Sequence, residues 1–320
     1  AGDSTGVYEV IRSATGTAMK IFLTGGTGQV GFELQRSLSL WGDVLAPARH
    51  ELDLSDMSAV NRWLEMYAPD CIVNAAAYTA VDKAEADMQT ALCINRDLPC
   101  VLAQYAARHA IRIFHYSTEY VYDGSGQDAR SEEAATGPLN VYGRSKLAGD
   151  QVIMDSGASY IIFRTSWVYA ARGNNFLKTM LRLGGQRDHL SIVADQIGAP
   201  TSARLLADIT SIALARRDVP SGIYHAVCRG ETSWHGFACQ IFDTARRMGY
   251  ALRLQNDAVQ AITTEEYGAP APRPLNSRLS VEKLEKTLGI RLPHWQEALS
   301  LTMAELALSP CNNNRHIDVH

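Results

Sequence analysis

No run of eighteen apolar residues occurs in the chain, so no helix is expected to cross a bilayer and no membrane partner is read. Basic residues are not in excess: 30 Lys and Arg stand against 34 Asp and Glu, a net charge of −4 that leaves no surplus to hold a nucleic-acid backbone. The six cysteines form no C-x-x-C pair and no Cys/His cluster with zinc spacing, so no metal site is read from them. Their scatter suits buried small side chains in a reducing compartment. Residues 1–18 lack an apolar h-region; they read as a leader or poorly ordered extension, not a secretory signal, with Met19 as the natural start. The polar end, 309–320, reads as a flexible tail. What is present is ordinary for a globular chain: 320 residues, 46% hydrophobic and 20% charged, enough for a large core and two domains.

From Met19 the pattern alternates. Strands are expected at Lys20–Thr24, Val44–Ala46, Asp70–Asn74, Ile111–Tyr116 and Tyr160–Arg164. Helices are expected at Gln29–Leu40, after a Ser55 cap, at Asp87–His109 and at Val141–Asp155. This alternation implies parallel β-α-β units in a doubly wound α/β sheet over 19–170, which together with the glycine turn at Gly25, Gly28 and Gly31 reads as a dinucleotide-binding domain. Residues 171–308 are less regular, with isolated strands such as Ile223–Val227 and a Pro-rich loop at Gly268–Pro274; they are expected to form mainly a substrate-binding region, with some segments returning to the first domain.

Gly25, Gly28 and Gly31 form G-x-x-G-x-x-G between the first strand and the first helix, with Gln29 and Val30 opening that helix. Such a loop gives a tight turn, close backbone approach to a pyrophosphate, and a helix N-terminus aimed at the anion. A carboxylate that would favour NADH is missing after the second strand. Arg49 stands there and can pair with a 2′-phosphate, so NADPH is expected, with NADH as the alternate donor. Asp53 and Leu54 are within reach of the adenine ring.

Tyr142 and Lys146 form Y-x-x-x-K in the helix after the fourth strand. Positions i and i+4 share a helix face, and an ammonium beside a phenol favours the phenolate. Tyr142 can then exchange a proton with a carbonyl or alcohol. Thr118, at the end of the fourth strand, can hold the same oxygen.

These residues resemble the extended short-chain dehydrogenase/reductase family. Longer stretches resemble its dTDP-4-dehydrorhamnose reductase branch: Asn74–Glu85, Ser117–Gly124, Arg164–Tyr169, Asp195–Thr201 and Arg273–Leu279. The resemblance runs from Met19 to about Leu308. It implies a Rossmann-type sheet with a smaller mixed α/β substrate-binding region, and NADPH-dependent reduction of the C4 ketone of dTDP-4-dehydro-β-L-rhamnose to dTDP-L-rhamnose. By position it implies Thr118, Tyr142 and Lys146 as catalytic residues. It puts Ala75, Ala76, Ala77 and Thr79 along the cofactor, and Val81, Glu119, Tyr120 and Trp167 beside the sugar. Arg273 and Asn276, in the Pro-rich loop, are expected at the diphosphate. For Trp167 a core position is the alternative. Two positions depart from the family: Glu119 where Asp is common, and Tyr122 where Phe is common. Glutamates that hold Mg²⁺ in some members have no match here, so Mg²⁺ is not carried over.

Two other readings stay open. One is a reductase of another nucleotide-linked 4-keto sugar. The other is a non-catalytic dinucleotide-binding regulator, similar to the methionine adenosyltransferase regulatory subunit. A homodimer is compatible with the sequence, and cytosolic sugar nucleotides imply a cytoplasmic enzyme.

Overall fold

A computed structural model describes residues 18–308. The expected leader, apart from its last residue, and the expected tail lie outside the described residues.

The first half runs β1 (Met19–Thr24), α1 (Gln29–Leu38), β2 (Gly42–Leu45), α2 (Met57–Tyr67), β3 (Cys71–Asn74), α3 (Val81–Ala84), α4 (Met88–Leu92), α5 (Leu98–Arg108), β4 (Arg112–Thr118), α6 (Val141–Met154) and β5 (Ser159–Thr165). The second continues with β6 (Val168–Tyr169), α7 (Phe176–Gln186), β7 (Leu190–Val193), β8 (Ile197–Gly198), β9 (Thr201–Ser202), α8 (Ala203–Ala215), β10 (Gly222–His225), β11 (Thr232–Ser233) and α9 (Trp234–Arg247). It ends with β12 (Val259–Ile262), α10 (Thr264–Tyr267), α11 (Glu282–Leu288) and α12 (Trp295–Leu308).

Six parallel strands form the central sheet in the order β10-β5-β4-β3-β1-β2. Successive side chains point to opposite faces, and both faces are dry. Ile21, Leu23, Val73, Phe114 and Phe163 pack under α1, α8 and α11. Phe22, Ile72, Ile113 and Ile162 pack under α2 and α5. A separate core joins α7, α9 and α12 through Leu177, Phe237, Phe242, Leu299 and Met303.

Strand order reverses between β1 and β3, one pairing each side of β1. A crevice therefore opens at their carboxyl ends, where open α/β sheets bind ligands. The phosphate loop after Thr24, the Ala75–Ala77 segment after Asn74, and Thr118 all lie at this end.

Several local expectations are corrected. Ile223–Val227 is not isolated: Gly222–His225 pairs with Ile161–Arg164 and extends the central sheet. The α2 cap is Asp56, which accepts from the Ala59 N–H, while the Ser55 hydroxyl donates to Asp53. The expected Asp87–His109 helix is interrupted by a π-helical turn at Cys93–Asp97. Pro99 lacks an N–H and its ring crowds the carbonyl of Asn95, four residues back, so the ladder widens there. α1 stops at Leu38, two residues early, and β2 starts and ends earlier than Val44–Ala46.

Candidate active site

The phosphate loop is built by close backbone approach. Gly25 has φ +71°, and a Cβ there would lie 2.7 Å from the Ala76 nitrogen. A Cβ on Gly31 would lie 2.0 Å from the Gly25 carbonyl oxygen. Only glycines let α1 seat on this turn and the turn seat on the segment after β3. Gly28 is the α1 N-cap and has no side chain to fill the cap, so the first-turn N–H groups face the crevice. The cradle fits a dinucleotide pyrophosphate. Ala75, Ala76 and Ala77 are half-buried beside it and Thr79 is exposed. The Ala76 N–H donates to the Thr24 hydroxyl at 3.3 Å.

Arg49 is exposed in the turn after β2, and Leu54 is half-buried. Asp53 is exposed, but its carboxylate accepts from the Ser55 N–H (3.0 Å) and hydroxyl (2.7 Å), which hold it below the usual carboxylate range. Both bonds fall on Oδ1.

The catalytic group converges from two elements. Thr118 ends β4; Tyr142 and Lys146 lie on α6. A Cβ on Gly143 would lie 2.3 Å from the Tyr120 carbonyl oxygen, so α6 presses onto the turn after β4 and brings Tyr142 to Thr118. The Tyr120 and Tyr142 rings meet edge to face at 5.4 Å. Asn140 caps α6 by accepting from the Gly143 N–H, and Glu85 accepts from the Val141 N–H at 2.7 Å.

The expected phenolate is not what these surroundings favour. Burial, then the Glu119 carboxylate, push the Tyr142 phenol above its ordinary value, against a hydrogen bond with Thr118. Lys146 is almost wholly buried, and its Nζ donates to the Tyr116 carbonyl at 2.6 Å, with His115 Nε2 at 3.4 Å. Desolvation lowers Lys146 to about 8, against the charge of Asp150. A neutral phenol is nonetheless the form a ketone reduction consumes. Glu119 is 3% exposed and accepts from the Thr118 hydroxyl at 2.7 Å; burial raises its carboxyl to about 7.

The expected sugar-side residues gather near these groups only in part. Val81 begins α3, and Arg273 Nη2 donates to Asp82 at 2.8 Å, tying the Pro-rich loop to that helix. Arg273 Nη1 is buried without a hydrogen-bond partner. Asn276 differs: its amide nitrogen donates to the Ser125 and Asp128 carbonyls, and its oxygen accepts from Arg278. These bonds hold the loop and leave little for a diphosphate. Trp167 follows β5 half-buried, with φ +48°. Tyr122, the other departure, is buried and joins His225 Nε2 (2.7 Å) and Arg164 Nη1 (2.9 Å).

Sequence reasoning missed Asn95. It is fully buried in the π-helical turn, bonds both the N–H and carbonyl of Tyr78, and donates to Ser145. It clamps the loop after β3 to the helix bearing Tyr142. The available signal was a lone Asn on the apolar face of a helix with Pro99 four residues on. Asn175 was missed too; it donates to Gln29 at 2.8 Å and links α7 to the phosphate loop.

Among the described residues, no group of three or more His, Cys, Asp or Glu side chains is placed to hold a metal ion. No helix among them is long and apolar enough to cross a membrane.

Comparison with known proteins agrees with this geometry. Residues 19–308 match the family described as RmlD substrate binding domain. The chain is 45% identical over 296 residues to the dTDP-4-dehydrorhamnose reductase of Salmonella typhimurium, covering 90% of this chain and 98% of that one. It superposes on the crystal structure of a dTDP-4-dehydrorhamnose reductase from Clostridium acetobutylicum with TM-score 0.84 and 36% identity, covering 90% and 99% of the two chains. A Bacillus anthracis dTDP-4-dehydrorhamnose reductase, solved in complex with NADP, gives TM-score 0.83 and 34% identity with the same coverage. The chain is an NAD(P)H-dependent oxidoreductase by descent and belongs to the dTDP-4-dehydrorhamnose reductase family.

Proposed function

We propose that the protein reduces the C4 ketone of dTDP-4-dehydro-β-L-rhamnose to dTDP-L-rhamnose, with NADPH as donor. The observation that carries this reading is the packing of α6, which bears Tyr142, against the turn that follows Thr118 at the carboxyl end of β4, beside a glycine cradle that fits a dinucleotide. NADPH, when bound, supplies the hydride. Tyr142, half-buried and neutral, gives its proton to the ketone oxygen, and the Thr118 hydroxyl orients that oxygen. Lys146, anchored by the Tyr116 carbonyl, would hold the nicotinamide ribose and lend its positive charge to the phenolate that results. Gly25, Gly28, Gln29, Val30 and Gly31 hold the pyrophosphate, with Ala75, Ala76, Ala77 and Thr79 alongside. Arg49 selects the 2′-phosphate, and Leu54 borders the adenine. Val81, Tyr120 and Trp167 surround the deoxyhexose, Arg273 meets the diphosphate, and Asn276 keeps the Arg273 loop in place. We place the reaction in the cytoplasm, where its substrates are.

The test is NADPH consumption with this ketone, with product configuration read by NMR, for wild type and Tyr142→Phe. The wild type should produce the L-rhamno configuration. The variant should lose about 10²–10⁴-fold in kcat with little change in binding. Turnover only with other nucleotide-linked 4-keto sugars reassigns the substrate. NADPH binding without turnover of any such ketone makes the protein a regulator.

A further inference from the structure

The stretch Asp195–Thr201 has no part in the steps above, yet the fold assigns it one. Gln196 is 4% exposed. Its amide nitrogen donates to the Thr264 hydroxyl at 3.0 Å, and its oxygen accepts from the indole N–H of Trp234 at 3.1 Å. Trp234 opens α9, whose N-cap Ser233 accepts from the Gly236 N–H. Its ring stacks on that of Trp167 with centroids 3.8 Å apart and planes 14° from parallel. Phe176, at the start of α7, packs against Trp234 at 4.7 Å.

Trp167 needs such support. Its φ of +48° lies in the left-handed region, where a bulky side chain is strained and persists only if its surroundings hold it. Its carbonyl accepts from the Thr201 N–H at 3.3 Å, and the adjacent Ser166 hydroxyl donates to the Ala199 carbonyl at 2.9 Å. Those bonds fix the backbone but not the tilt of the ring. The Trp234 ring lies flat against it, itself held at one end by Gln196 and on its flank by Phe176, and Gly198 approaches the Trp167 ring so closely that a Cβ there would lie 3.0 Å from it.

We propose that Trp234 is a positioning residue for the sugar subsite: locked by Gln196, its indole holds the Trp167 ring at the angle from which that ring meets the deoxyhexose. The inference rests on the reading of Trp167 as a sugar contact. It adds that the contact depends on α9, a helix of the second core with no place in the cofactor cradle. Misplacing a reacting group by about 1 Å can cost on the order of 10²-fold in rate. An aromatic pair alone is worth roughly 2- to 13-fold in binding.

The experiment compares Trp234→Leu, Trp234→Phe, Gln196→Met and Trp167→Ala in full-length protein. It reads KM and kcat for dTDP-4-dehydro-β-L-rhamnose, NADPH affinity, melting temperature, and the circular-dichroism couplet of the stacked indoles. Trp234→Leu should abolish the couplet and raise KM about tenfold or more, with NADPH affinity unchanged. Trp234→Phe should recover most of the loss, and Gln196→Met should weaken both couplet and KM while keeping both indoles. If Trp167→Ala raises KM and Trp234→Leu does not, Trp234 has no positioning role and the sugar contact stands. If Trp167→Ala leaves KM unchanged, the sugar contact itself is wrong and this inference falls with it. If Trp234→Leu does not fold, Trp234→Phe and Gln196→Met decide: wild-type KM in both overturns the proposal. Equal losses of NADPH affinity and sugar affinity assign Trp234 to the core and overturn it as well.

Discussion

The Thr118 hydroxyl gives its one proton to Glu119 Oε2 at 2.7 Å, and the two partners act on the Tyr142 phenol in opposite senses, Glu119 raising its pKa and Thr118 lowering it. A hydroxyl has a single proton to donate. While Glu119 is ionised, Thr118 is committed to it and its negative charge opposes ionisation of Tyr142. Once Glu119 is protonated, Thr118 is free to donate to a ketone oxygen and the repulsion disappears.

Activity should therefore fall as pH rises through about 7, where Glu119 ionises. Glu119→Gln should flatten that limb of kcat/KM. Stability has its own sign. The folded carboxyl is raised above its ordinary 4.5, so its contribution is full below that value and is lost as pH rises through about 7. Glu119→Gln should gain melting temperature relative to wild type between pH 5 and 8, by up to about 3 kcal/mol of stability. An equal difference at both pH values would contradict a buried titrating carboxyl.

Asp150 lies eight residues after Tyr142 on α6 and pairs with Arg164 at 3.1 Å, both almost wholly buried. Its charge works against the desolvation that lowers Lys146 to about 8; His115 faces the same ammonium. Asp150→Asn should pull Lys146 lower still, so the ammonium is lost at lower pH. In a Glu119→Gln background, the alkaline limb of kcat/KM should move toward acid by about one pH unit. Arg164 left unpaired should also lower the melting temperature, since breaking a buried pair costs about 3–5 kcal/mol. A lower melting temperature with an unmoved limb would confine Asp150 to a structural role.

Cofactor choice rests on Arg49, exposed in the turn after β2. Arg49→Ala should weaken NADPH by roughly 10- to 150-fold and leave NADH nearly unchanged, because a charge-assisted bond to a phosphate is worth about 1.5–3 kcal/mol. Titration with both cofactors checks this. Equal losses would make Arg49 a scaffold residue, and a wild-type preference for NADH would remove NADPH as the natural donor.

Local pattern carried much of the site. Gly25 and Gly31 sit where strand, turn and helix meet, and their spacing is visible without coordinates. Tyr142 and Lys146 share a helix face because the helix repeat puts them there. What escaped depends on contacts distant in sequence. β10 joins the central sheet by pairing with a strand some sixty residues earlier, beyond any local periodicity. Asn95 acts through a π-helical turn that Pro99 imposes, and a smooth helical pattern hides the turn. Asn276 spends its amide nitrogen on carbonyls about 150 residues away, partners that no local pattern shows. The Lys146 ammonium donates to the Tyr116 carbonyl, a contact thirty residues back in the chain that the i, i+4 spacing on α6 does not show.

The central claim is hydride delivery to the sugar C4 with the proton supplied by Tyr142. It is tested most directly by reacting the protein with dTDP-4-dehydro-β-L-rhamnose and NADPH carrying deuterium at the transferable position, and reading the product by NMR. The account predicts one deuterium at C4 of a product with the L-rhamno configuration, formed about 10²–10⁴-fold more slowly by Tyr142→Phe. Deuterium at any other carbon, its absence from a reduced product, or an undiminished rate in the variant would contradict it.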